Sequence, residues 1–193
     1  MSTTTTSYGT WCNQVNTYST SPDADVDDYI GGGPDDWRTL LEESGALERI
    51  KSEYRAAINA ALPGDVALCG DEFIGPWEPE EGEFDGYPQD EDGTLDFAAM
   101  VEDIDLAEIV ERNEPLTLED IGRDELKSTA VNPAKTASGV LAKLKPELRP
   151  KPIAYLPHPQ SRRPQAIYLA GEVRAALAAR PGRGVRTDLK GSE

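Results

Sequence analysis

Histidine occurs once in the 193 residues and cysteine twice, so the side chains that most often hold transition metals are nearly missing. Cys12 and Cys69 lie far apart and in no CxxC arrangement, which excludes a zinc site of clustered thiolates and imidazoles. A disulfide between them stays open, although two reduced cysteines are the expectation without a secretion signal. The opening MSTTTTSYGT has neither the basic nor the apolar region of such a signal, and no run of about 18 apolar residues occurs. The expectation is a cytoplasmic protein with no membrane partner. Aromatic residues make up 7% and hydrophobic residues 38%, so sizeable parts of the chain are expected to be loop or tail. The run Gly31-Gly32-Gly33 belongs to neither GxGxxG nor GxxxxGKS/T. His158, set between Pro157 and Pro159, has no Ser, Cys or carboxylate at a recognisable catalytic spacing. No cofactor and no enzymatic activity are expected.

What is present is charge, unevenly placed. The formal net charge is −17. Residues 1–114 carry 5 Lys and Arg against 28 Asp and Glu, a balance of −23, and residues 115–193 carry 14 against 8, a balance of +6. An acidic average argues against nucleic-acid binding, but that argument fails where a basic module is tethered to an acidic one.

Residues 1–20 are expected to form a flexible tail, with a short strand or turn around Tyr8, Trp11, Val15 and Tyr18. From Pro34, apolar residues recur at three- and four-residue steps, among them Leu40, Leu41, Leu47, Ile50, Tyr54 and Ile58. This predicts one long amphipathic helix, or two broken at Ser44-Gly45. Residues 65–76, DVALCGDEFIGP, read as a strand or short hairpin, and the acidic stretch 78–93 as a loop. Within that loop, placing Gly93 at the sixth position of an EF-hand leaves Pro88 at the first and Ala99 at the twelfth. Both the opening aspartate and the bidentate glutamate are then missing, so the stretch reads as an acidic turn. A helix follows from Leu95 to Val110, bent near Asp105, and ends at Asn113-Glu114-Pro115, where the charge reverses.

Beyond that boundary, Thr117 followed by Asp120 three residues on marks a helix start with reciprocal capping, with Leu116 as a staple. Asn132-Pro133 marks a second start, an N-cap residue followed by proline at the first helical position. That helix buries Val140, Leu141 and Leu144 and turns Lys135, Thr136, Ser138 and Lys143 outward. Two β-like runs, 153–156 and 166–169, flank the basic connection PHPQSRRPQ, and a closing helix spans Glu172 to Arg180. The fold class expected is α+β: a flexible tail over 1–20, an acidic α+β module over 21–114, a basic winged helix-turn-helix domain over 115–184, and a second tail over 185–193.

The order helix, turn, helix, hairpin with a basic tip, closing helix is that of a winged helix-turn-helix. The segment RRPQAIYLAGEVRAALAARPGRG, residues 162–184, resembles the C-terminal part of excisionase-like, MerR-related winged-helix proteins of phages, plasmids and their hosts. The likeness extends over about residues 116–184. It implies double-stranded DNA as the partner, with Arg162 and Arg163 in the wing position and Lys135 to Lys143 in the recognition-helix region.

Chemically, small polar and basic side chains such as Lys135, Thr136 and Ser138 suit a major groove, the helix N-terminus offers amides to a phosphate, and Arg162 and Arg163 suit the backbone or minor groove. The expected function is a transcriptional regulator or an excisionase-like architectural factor. Useful affinity then calls for a homodimer or tandem sites. The alternative is an acidic interaction or DNA-mimic protein with a basic protein partner, in which the winged helix is a protein-binding scaffold.

Overall fold

The computed structural model describes residues 22–180, apart from 65, 71, 75–81, 83, 90 and 92–94. The expectations for the N-terminal tail, for half of the acidic stretch 78–93 with its comparison to a calcium loop, and for everything after Arg180 lie outside the described residues, as does Cys12. The architecture is mixed helix and strand, as the α+β expectation required. Two compact units divide the chain, one of residues 1–42 and 47–110, the other of residues 43–46 and 111–193. No described helix is long and apolar enough to cross a membrane.

The first unit opens with a helix that was not anticipated, α1 (Pro22–Gly31), which starts on proline and buries Val26 and Ile30 one turn apart. The long periodic stretch resolves into two helices, α2 (Asp35–Ser44) and α3 (Ala46–Ala61). Gly45 between them takes a φ of 77°, a left-handed value that glycine adopts without steric cost and that ends α2. Arg55 on α3 bonds Asp23 on α1 at 3.0 Å, and Lys51 bonds Asp27 at 2.8 Å. The hairpin β1 (Ala67–Cys69) and β2 (Glu72–Ile74) is antiparallel and turns at Gly70. The Phe73 ring stacks on Phe97 at a centroid distance of 4.2 Å. Phe97 begins α4 (Phe97–Val101), and the expected bend separates α4 from α5 (Leu106–Arg112).

The second unit contains a three-stranded antiparallel sheet of order β3-β5-β4, with β3 (Pro115–Thr117), β4 (Ala154–Pro157) and β5 (Pro164–Leu169). β3 pairs through Leu116 with Tyr168, so the residue expected to act as a helix staple lies in a strand. Thr117 then caps α6 (Leu118–Asp120), with its side chain accepting from the Asp120 amide while Asp120 accepts from Thr117. The helix continues as a wider π-turn over Ile121–Glu125. After a turn, α7 (Pro133–Ala142) begins on Asn132, whose side chain accepts from the Lys135 amide. Side-chain caps of this kind are each worth about 1 kcal/mol.

β4 lies at one edge of the sheet, with Pro152 just before it and Pro157 at its end, opposite Pro164 on β5. α8 (Ala170–Ala178) follows β5 directly, starting two residues before the expected Glu172. Leu116, Ile121, Ala137, Leu141, Leu144, Ala170, Val173 and Ala176 form one buried cluster that joins β3, α6, α7 and α8. Burial of these apolar faces, rather than helix propensity, holds the short elements together.

Candidate nucleic-acid interface

α7 sorts its side chains by face. Ala137 and Leu141 point into the core, with Leu144 just beyond the helix end, whereas Lys135, Ser138, Gly139, Ala142 and Lys143 are exposed. At 100° per residue those five fall on one side of the helix, so Lys135, Ser138 and Lys143 come together as expected. Thr136 does not join them. It is half-buried, and its Oγ1 lies 3.5 Å from both the Asn132 carbonyl and the Ser128 hydroxyl, holding the preceding turn against the helix. The amide of Lys135 is taken by Asn132, that of Thr136 closes on the Asn132 carbonyl at 3.4 Å, and Pro133 has none. The cap therefore satisfies much of what an anion would have used at this N-terminus.

The connection between β4 and β5 is a built loop. His158 donates its amide to the Arg163 carbonyl, and the Arg162 amide donates back to the His158 carbonyl, each at 2.9 Å. The His158 ring does more: Nδ1 accepts from the amides of Gln160 at 3.1 Å and Ser161 at 3.3 Å. These bonds fix the tip, where Arg162 takes a φ of 57° and both Arg162 and Arg163 are exposed.

The described cations of this unit fall into two classes. Arg123 pairs with Glu119 one turn earlier in sequence, and Arg149 donates to the carbonyls of Ala142 at 2.8 Å and Leu144 at 3.3 Å, closing the end of α7. Arg174 on α8 bonds Glu125 at 3.0 Å and Glu111 at 2.7 Å, and these hydrogen bonds and charges hold its pKa above the usual arginine value. Among the described residues the side chains of Lys135, Lys143, Arg162 and Arg163 have no such partner, and neither do those of Lys127, Lys145, Lys151 and Arg180. In sequence all of these look alike.

No family model, no curated protein and no solved structure matches this chain.

Proposed function

We propose that residues 115–180 form a winged helix-turn-helix that binds double-stranded DNA, with α7 in the major groove and the β4–β5 hairpin as the wing. The observation that carries this reading is the division of cations. Arginines that serve the fold are spent on carboxylates and carbonyls, while the exposed side of α7 and the hairpin tip keep Lys135, Lys143, Arg162 and Arg163 for an outside anion. The strand order β3-β5-β4, with both helices inserted between β3 and β4, supports the same reading. Ser138, Gly139 and Ala142 are small enough for the helix backbone to approach base edges closely, and Thr136 positions the helix rather than reading bases. The role is that of a regulator or an architectural DNA-bending factor.

Duplex binding by fluorescence anisotropy, with the full chain and with residues 111–193 across a salt series, tests this. Removing one phosphate-binding cation should lower the slope of log affinity against log salt by about 0.9. Arg162→Ala with Arg163→Ala should therefore bind more weakly and with a flatter salt dependence. An absence of salt-dependent binding by residues 111–193 sinks the proposal.

A second reading, an acidic surface that mimics DNA or takes a basic protein, draws support from the first unit. There Arg38, Lys51 and Arg55 each pair with an aspartate of the same unit, leaving the remaining acids in large excess. Tight binding of a polycationic peptide by the full chain, alongside no affinity for duplex in either form, would favour this reading.

A further inference from the structure

Two non-glycine residues take a left-handed backbone among the described residues, Lys127 with a φ of 48° and Arg162 with a φ of 57°. The other positive-φ positions are glycines: Gly45, Gly70, Gly82 and Gly86. A side chain at such an angle brings Cβ against the neighbouring carbonyl, so glycine is the default there. Both exceptions are cations, both are exposed, and neither side chain has a partner among the described residues. Arg162 stands at the tip of the β4–β5 hairpin. The other lies in the turn that leads into α7.

The local geometry ties Lys127 to the start of the groove helix. The Leu126 amide closes the π-turn on the Ile121 carbonyl at 3.0 Å, and the Ser128 amide reaches back to the Gly122 carbonyl at 2.9 Å. Lys127 sits between those two bonds, and its left-handed angle is what reverses the chain. Ser128 Oγ in turn lies 3.5 Å from Thr136 Oγ1 in the first turn of α7 and accepts from the Ala130 amide at 3.3 Å. The backbone carrying Lys127 is thus pinned beside the end of α7 that enters the groove. Strained backbone retained where glycine would serve is a sign of a demand other than folding, and here the retained group is an ammonium with three free donors.

We propose that Lys127 is a further DNA contact, gripping a backbone phosphate beside the N-terminal end of α7, and that Lys127 and Arg162 hold their angles at the expense of stability in order to present charge. The proposal rests on the DNA-binding reading and extends it to a residue outside the helix and the wing.

The test uses the full chain and three variants. Lys127→Gly should unfold at a temperature about 2 °C higher, because the strain is relieved, yet bind a mixed-sequence duplex about tenfold more weakly at 0.1 M salt, with a slope lower by about 0.9. Lys127→Ala should show the same fall in affinity without the gain in stability, and Lys127→Arg should keep both affinity and slope. If the unchanged chain binds duplex, the Arg162→Ala, Arg163→Ala pair weakens it, and Lys127→Gly and Lys127→Ala bind as the unchanged chain does, the assignment of Lys127 is overturned while the DNA-binding reading stands. A chain that binds no duplex at all overturns both.

Discussion

Gly122 and Pro133 meet backbone to backbone: a Cβ at residue 122 would collide with the Pro133 carbonyl oxygen and stand 2.5 Å from its carbon. The π-turn after α6 and the first residue of α7 therefore approach more closely than any side chain allows. Neither partner can give by rotating a side chain, since the obstacle is main chain. Gly122→Ala should destabilise the protein by about 1–3 kcal/mol, seen as a lower denaturant midpoint. Its duplex affinity should fall as well, because relief of the clash must move α7. A variant as stable as its parent would show that the contact has slack.

Arg149 and Lys143 lie near the same end of α7 but should respond differently to truncation. Arg149→Ala removes donors from the Ala142 and Leu144 carbonyls and should cost about 0.5–1.5 kcal/mol of stability with no change in the salt slope of duplex binding. Lys143→Ala should change stability by less than about 0.5 kcal/mol and flatten the slope by about 0.9. Thermal melts and salt titrations on both variants check the pair, and the opposite pattern would dissolve the division of cations on which the functional reading rests.

Glu114 offers a pH-dependent test. Burial, reinforced by Glu111, Glu125 and Asp120, pushes its carboxyl above the usual carboxylate range against the pull of Arg174. The folded chain then holds this proton more tightly than the unfolded chain does. The stabilisation tied to that proton is complete below the unfolded pKa of about 4.3 and is lost as pH rises through the folded pKa. Glu114→Gln should therefore raise the denaturation midpoint at pH 7, with the gain fading near pH 4. The backbone bond from the Ala170 amide to the Glu114 carbonyl, 2.9 Å long, is untouched by the change. An equal gain at both pH values would mean that charge is not the cause.

His158 predicts a contrast between two substitutions. His158→Ala leaves the Gln160 and Ser161 amides without their acceptor, so both should lose protection in hydrogen exchange and the hairpin should weaken by about 0.5–1.5 kcal/mol. His158→Asn supplies a side-chain oxygen at similar reach and should keep most of that protection. Equal protection in both variants would show that the loop is held by its backbone bonds alone.

Much of the fold was legible in the sequence. The apolar steps of α2 and α3, the break at Gly45, the Thr117–Asp120 cap, the Asn132-Pro133 start and the two strands around the basic connection all follow from local chemistry. α1 was missed because its four aspartates hide a core contribution of Pro22, Val26 and Ile30. β3 was missed because three residues carry no period, and only the distant partner β5 makes them a strand.

In the candidate interface, the grouping of Lys135, Ser138 and Lys143 was readable from helical spacing. The commitments of Thr136, Arg149 and Arg174 were not. Arg174 finds its carboxylates 49 and 63 residues away in sequence, so no local pattern separates it from Arg162. Lys127 carried no signal at all, since its left-handed angle arises from the way α6 ends.

The prolines around β4 govern how two copies of this chain can meet. An outermost strand offers unpaired amides to any neighbouring strand, and natural sheets guard against that. Here the strand is four residues long, and Pro152 and Pro157 withhold donors at either end. Strand-to-strand growth is discouraged along this side of the hairpin. Two copies brought side by side would have to be joined through helices or loops rather than through this edge, so the exposed side of the hairpin is a poor seed for a fibre.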